Sequence, residues 1–258
     1  NVRWSYLERD LASSFFCSQA ESTPATATVH GRKLSRNREL LTDPFQHKIL
    51  QMYMNIPSFE QAEAFIKEAQ GLNPGPWVQH SFFVGKAAES IAQHHPKLDS
   101  QAAFILGYLH DIGRRSGVAD MRHTLDGYHF LTEKGFDYAA RICITHVFPL
   151  KHINSVAGKW DCTEQELDFL DEYLSKIEFD EYDRLIQLCD AIALPSGYCL
   201  VEKRLMDVAL RHGVNEFSVP RWKAFLGIQK DFEGVIGQSI YKVLHGVVEN
   251  TFGFNPCE

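Results

Sequence analysis

The residues of this 258-residue chain best suited to chemistry are an adjacent histidine and aspartate, His110-Asp111, in the sequence LGYLHDIGRRSG. An imidazole and a carboxylate presented at one point are both ligands that divalent transition metals accept. The alternative is an ordinary helix end, where the helix dipole favours a cationic histidine and Gly113 terminates the helix. The pair alone does not decide between these two interpretations.

Two further residues lie in apolar surroundings that suit a buried metal site. His80 stands in the sequence QHSFFV, and Asp190 stands in RLIQLCDAIAL. A carboxylate buried without a partner costs several kcal/mol or becomes protonated, and coordination to a metal keeps it charged. The alternatives are a hydrogen-bonded core histidine for His80 and a salt bridge to Arg184 for Asp190.

The elements that must position these residues are helices. Apolar residues recur at helical spacing from Met54 onward, and helix caps are indicated at Ser58, Asp99 and Thr163. The pattern predicts helices over 59–70, 77–95, 100–111, 124–134, 136–146, 163–176, 181–193, 201–212 and 220–244. No run alternates as a strand requires, so the fold class is all-α.

The ordered set of His80, His110-Asp111 and Asp190 resembles the defining pattern of the HD-domain superfamily of metal-dependent phosphohydrolases. HDIG at 110–113 is a familiar form of its central motif, and the resemblance covers roughly residues 54–200. Residues 110 to about 250 also resemble a subgroup of uncharacterised bacterial HD-domain proteins. The resemblance implies an HD-domain helical bundle with a metal centre in its core and these four residues as metal ligands.

Members of the superfamily with two metals, including HD-GYP phosphodiesterases and diiron oxygenases such as myo-inositol oxygenase, have two extra histidines before the last aspartate. His123 and His146 occupy that position here. Asp111 would then bridge two ions, which lie about 3.5–4 Å apart in such sites. The remaining ligands would divide into His80, His110 and Asp190 on one ion and His123 and His146 on the other. The alternative is one ion, with His123 as a substrate-side acid or a surface residue.

The resemblance implies a metal-dependent phosphohydrolase that cleaves a phosphoester of a small molecule, such as a nucleotide, with a metal-activated water. A divalent ion lowers the pKa of bound water from 15.7 to about 7 and polarises the phosphoryl oxygen. The mixed ligands favour Mn, Fe, Co, Ni or Zn over Ca. The expected catalytic residues are Asp111, His123 and Arg114, whose guanidinium can bind phosphate bidentately. Arg115 is expected to be solvated.

Three other interpretations remain open. The same ligands permit a mixed-valent diiron oxygenase, because ligands alone do not separate hydrolysis from O₂ chemistry. A non-catalytic regulatory domain would hold a structural metal with no open coordination position. The histidines could also be unrelated residues on helices that merely pack together.

Composition argues against several classes of protein. The formal charge of −7 argues against a general nucleic-acid binder. No apolar run approaches the roughly 18 residues of a membrane span. The six cysteines lack C-x-x-C spacing and are too sparse for a disulfide scaffold, which predicts reduced thiols in a cytoplasmic protein.

The charge distribution divides the chain into two regions. Residues 1–53 carry a local charge of +2 and a Ser/Thr/Ala-rich stretch at 18–30 without helical or strand period, so a flexible or non-native N-terminal segment is expected. Residues 54–258 are expected to form the HD domain, with a metal-binding core at 75–200. Helices within 201–250 are expected to cover that core or to form a homodimer contact. Their main apolar residues are Trp222, Phe225, Phe232 and Ile236.

Overall fold

A computed structural model describes residues 55–254, so the predicted N-terminal segment lies outside the described residues. The described chain is almost entirely helical, as predicted. Its α-helices are α1 (Phe59–Leu72), α2 (Pro76–Ala92), α3 (Ser100–Leu109), α4 (His123–Glu133), α5 (Asp137–Thr145), α6 (Glu164–Lys176), α7 (Glu181–Asp190), α8 (Val201–His212), α9 (Ser218–Ile236) and α10 (Val247–Phe252). Short 3₁₀ turns lie at Ile112–Ser116, Ile153–Ser155 and Ile240–Lys242.

The predicted helix caps are present. The side chains of Ser58, Asp99 and Thr163 each accept a hydrogen bond from the first turn of the following helix. Asp180, which the sequence pattern did not single out, caps α7 by accepting from the main-chain N–H groups of Tyr182 and Asp183. Each cap satisfies a donor that the helix itself leaves free and so fixes where the helix begins.

Two expectations about element boundaries are wrong. Helix α7 ends at Asp190 instead of 193, and the antiparallel strands β1 (Ala193–Leu194) and β2 (Gly197–Tyr198) follow it, where no strand was expected. These two-residue strands are too short to show alternation. The helix predicted over 220–244 ends at Ile236, because Gly237 adopts the left-handed conformation at φ 73°. The separate helix α10 was not predicted.

The core is built from the helices that surround the predicted site. Helix α2 packs along α3, and both contact α7. Phe225 and Phe232 of α9 are buried in this core, and Trp222 and Ile236 pack against it in partly buried positions. The C-terminal helices therefore cover the core within one chain, and the homodimer contact stays a prediction.

Two further findings bear on the composition argument. None of the helices in residues 55–254 combines the length and the apolarity that a membrane span requires. The cysteines of this range, Cys143, Cys162, Cys189 and Cys199, are free thiols. Cys17 and Cys257 lie outside the described residues.

Candidate metal centre

Six side chains predicted as metal ligands converge from five helices. They are His80 within α2, His110 and Asp111 directly after α3, His123 as the first residue of α4, His146 directly after α5, and Asp190 as the last residue of α7. All are buried except Asp190, whose side chain is 26% exposed. Because most of these residues lie at helix ends, the lengths of the helices decide where the side chains meet.

One group of ligand atoms forms around His80 and His110. The ligand atoms of His80, His110 and Asp111 all lie within 4.8 Å of one another. The Oδ1 atom of Asp190 is 2.9 Å from His80 Nε2 and 3.9 Å from His110 Nε2. The alternative interpretation of Asp190, a salt bridge to Arg184, is not found among the described residues, since Arg184 donates to Pro149 O and Gln187 Oε1.

A second group forms on the other oxygen of Asp111. His123 Nε2 lies 3.0 Å and His146 Nε2 lies 3.7 Å from Asp111 Oδ1. His110 Nε2 instead faces Asp111 Oδ2, at 3.8 Å. The two oxygens of one carboxylate therefore face two different groups of histidines. This is the arrangement that a bridging role for Asp111 requires.

Main-chain carbonyls orient three of the rings. The Nδ1–H group of His110 donates to Gly107 O at 2.7 Å, that of His146 donates to Ile142 O at 3.1 Å, and that of His123 donates to Asp120 O. A proton on Nδ1 leaves the lone pair on Nε2, which is the atom that faces Asp111 in each ring. No sequence pattern indicates these partners, because they are main-chain atoms.

A buried nitrogen in the cluster lacks a hydrogen-bond partner. His110 Nε2 is inaccessible to solvent and bonds to no described residue. Leaving a buried polar atom unsatisfied is unfavourable, and such atoms call for an explanation by an ion or a water. A divalent cation would bind the lone pair of this nitrogen. The carboxylates and imidazoles around it are ligands of the type that such a cation prefers. The residues therefore fit a metal ion.

The protonation states of the cluster suit a cation. Burial would raise the pKa of Asp111, but Arg114, His110 and His123 hold it well below its usual range. Burial would also raise the pKa of Asp190, but the hydrogen bond to His80 and the charges of His80, His110 and His146 together outweigh this effect and lower the pKa. Burial lowers the pKa of His110, and it lowers that of His146 to about 3. At neutral pH these groups already have the unprotonated form in which a metal binds them.

The two arginines after the HDIG motif, Arg114 and Arg115, contact different partners. Arg114 Nε donates to Asp111 Oδ2 at 2.7 Å, and the Arg114 side chain is partly exposed. Arg115 was expected to be solvated, and this is wrong. Its Nη2 lies 3.0 Å from Glu68 Oε1, and its guanidinium stacks over the Phe130 ring at 3.9 Å. The apolar ring shields Arg115 from water, which a motif alone does not reveal.

A cavity of about 720 Å³ opens onto the cluster. Its lining includes five of the six predicted ligands and also Arg114. Helices α8 and α9 complete its wall with three arginines that were not predicted, Arg204, Arg211 and Arg221. Arg204 and Arg211 could have been predicted from the sequence. The pattern R-x-x-D-x-x-x-R at 204–211 places its charged residues on one face of a helix.

The glycine of the HDIG motif allows α4 to approach the cluster. A Cβ atom at Gly113 would lie 1.9 Å from the carbonyl oxygen of His123 and 2.3 Å from Gly127 N. Main-chain atoms cannot yield as the end of a flexible side chain can. The backbone of α4, and His123 with it, reaches Asp111 only because residue 113 has no side chain.

Gly113→Ala is therefore expected to lower the free energy of unfolding by about 3 kcal/mol and to weaken metal binding. Urea denaturation measures the first effect and equilibrium dialysis of Mn²⁺ the second. The matched control is Gly71→Ala, because a Cβ there meets nothing within 4 Å on the exposed side of α1. That control is expected to gain about 0.5–1 kcal/mol. Equal stability for the two variants would contradict the close approach.

Comparison with known proteins gives one match. The family model described as "HD domain" matches residues 77–194, which contain all six residues of the cluster. Neither the curated proteins nor the solved structures contain a significant match to the chain. The matched range and the buried histidine–aspartate cluster together show that residues 77–194 of this chain form an HD domain.

Proposed function

We propose that this protein is a metal-dependent phosphohydrolase that cleaves a phosphoester of a small molecule at a two-ion centre. The observation that carries the proposal is the position of Asp111, whose two oxygens face two separate groups of histidines. His80, His110 and Asp190 would hold one ion with Asp111. His123 and His146 would hold the other with the same carboxylate.

The bound ions, drawn from Mn, Fe, Co, Ni or Zn, would supply a nucleophilic water and a Lewis acid for the phosphoryl oxygens. The residues of this chain supply positioning and charge. Arg114 carries a fixed positive charge beside Asp111, where it would bind the phosphoryl oxygens as their negative charge grows. A cavity of about 720 Å³ is of the size that holds small organic ligands. The free thiols suit a reducing cytoplasm.

The proposal is tested by phosphate release from a panel of nucleotides and other phosphoesters. Purified protein is loaded with Mn²⁺ or Fe²⁺, and Asp111→Ala serves as the control. Release by the wild type that disappears in the variant would support hydrolysis and begin to identify the substrate. A metal-loaded wild type that releases no phosphate from any member of the panel would contradict it. EPR of the partly oxidised iron form would then distinguish a mixed-valent oxygenase from a regulatory domain.

Replacing Arg114 by Gln is expected to lower kcat/KM for the phosphoester by about 10²–10³-fold, the size of effect seen when a charge-stabilising donor is removed. The loss should appear with metal content unchanged, which atomic emission measures on the same samples. Arg115→Gln is the matched control, because this neighbouring arginine pairs with Glu68 instead. Similar losses of kcat/KM in the two folded variants would show that Arg114 has no specific role.

A further inference from the structure

Arg221 in α9 is a buried cation without an acidic partner. Its residue is only 5% exposed, yet it lines the cavity that contains the predicted metal ligands. Its Nη1 donates to Ser155 O at 2.6 Å, and no carboxylate of the described residues lies within ion-pair distance. Burial lowers the pKa of Arg221, and no described acidic group counteracts it. A buried charge is normally paired, so this guanidinium lacks the anion that its position calls for.

Helix α8 adds two arginines that share one aspartate on the same cavity. Asp207 Oδ2 accepts from Arg204 Nη1 at 3.1 Å and from Arg211 Nη2 at 3.0 Å. The Nε atom of Arg204 is buried and has no hydrogen-bond partner among the described residues. One carboxylate therefore accepts from two guanidinium groups, and the Nε–H group of Arg204 is left without an acceptor.

The resulting wall has an excess of positive charge. Arg204, Arg211 and Arg221 face a single acidic residue, Asp207, although the whole chain carries a formal charge of −7. Another cavity of the described chain, of about 450 Å³, has an excess of acidic residues. Its one arginine, Arg184, is accompanied by Asp180, Glu181 and Asp231. The whole cavity at the candidate metal centre is lined by four arginines and four aspartates, so the excess of two positive charges is confined to the wall formed by α8 and α9.

We infer that the wall formed by α8 and α9 binds a second phosphate group of the substrate, so that the substrate is an organic phosphate with two phosphate groups. This inference rests on the proposed function, in which the ions and Arg114 hold the phosphate that is cleaved. A phosphate monoester carries about −1.5 to −2 charges at pH 7, which matches the excess on the wall. Trp77, Trp222 and Phe225 line the same cavity and offer apolar surface to the carbon part.

Binding of inorganic phosphate to metal-free protein tests the subsite without any turnover. After removal of metals with a chelator, isothermal titration calorimetry is expected to show one phosphate bound per chain, with a Kd of about 1 mM or tighter. Arg221→Gln is expected to weaken this Kd by about tenfold or more. Arg221→Lys, which keeps the charge, should retain part of the affinity.

Arg184→Gln is the matched control, because Arg184 is a partly buried arginine of the other cavity that likewise donates to a main-chain carbonyl and has no ion pair among the described residues. It should bind phosphate as the wild type does. Thermal melts show whether each variant is folded, and Arg204→Gln provides a second test of the wall if Arg221→Gln does not fold. Absence of phosphate binding by the wild type, or wild-type affinity in folded Arg221→Gln and Arg204→Gln, would overturn the inference.

A second arm compares turnover of a bisphosphate with that of the matching monophosphate. The wild type is expected to prefer the bisphosphate by about tenfold or more in kcat/KM, and Arg221→Gln is expected to lose this preference while still cleaving the monophosphate. Equal kcat/KM values for the two compounds in the wild type would overturn the inference. Phosphate binding that depends on Arg221 in a protein that cleaves neither compound would instead contradict only the proposed function.

Discussion

Asp111→Asn is expected to reduce metal-dependent phosphate release by about 10³-fold or more while the protein stays folded. Among residues 55–254, Asp111 is the one whose oxygens face both groups of histidines, at 3.0 Å from His123 Nε2 and 3.8 Å from His110 Nε2. An amide keeps the shape of the side chain but loses the charge that would hold two cations together. Loss of the ions removes several kcal/mol of transition-state stabilisation, and each 1.36 kcal/mol is a factor of ten in rate.

A second readout separates metal loss from a chemical effect. Mn²⁺ should raise the melting temperature of the wild type, because a ligand that binds only the folded state stabilises it, and it should not do so in the variant. Asp126→Asn is the matched control, since Asp126 in α4 pairs with Arg122 at 3.5 Å and belongs to neither ligand group. A rate for folded Asp111→Asn within tenfold of the wild type would rule out a bridging carboxylate.

Asp183→Ala is expected to lower the free energy of unfolding by about 3–5 kcal/mol, because it leaves the Arg141 guanidinium without its buried partner. Asp183 is fully buried and binds Arg141 through Nε at 3.1 Å and through Nη2. It also accepts from Thr145 Oγ1 at 2.6 Å. Thr145 directly precedes His146, so the same carboxylate fixes the end of α5 against α7. Mn²⁺ affinity should therefore fall together with stability.

Urea denaturation with and without Mn²⁺ measures both effects. Glu172→Ala is the control, because the Glu172–Lys176 pair lies on the exposed face of α6 and surface pairs contribute about 0–1 kcal/mol. If the free energy of unfolding of Asp183→Ala fell by no more than that of the control, the bonds from Asp183 to Arg141 and Thr145 would not stabilise the α5–α7 contact.

The proposed metal ligands were predictable from the sequence because each is a histidine or aspartate in an apolar helical segment. His80, His110-Asp111 and Asp190 form one set through the resemblance to the HD-domain superfamily, and the fold brings them together with His123 and His146. The helices were predictable for a related reason, since their periodicity and caps are local. Local signals fix helix starts such as those at Ser58 and Thr163 well, because the capping bonds lie within four residues.

Features that depend on contacts between distant segments were not predictable. The burial of Arg115 requires Glu68 and Phe130, which are far from it in the chain. The wall that includes Arg221 exists only because α9 packs against α7 and α8. The hairpin after α7 is held partly by the hydrogen bond from Asn250 Nδ2 to Tyr198 O, more than fifty residues away. Periodicity contains no information on such partners.

Metal stoichiometry tests the two-ion centre most directly. Protein dialysed to equilibrium against Mn²⁺ is assayed by mass spectrometry for bound metal, alongside His123→Ala, which removes a ligand of one proposed ion only. The account predicts two ions per chain in the wild type and one in His123→Ala. A wild type that binds one ion or none, or a His123→Ala variant that still binds two, would contradict it.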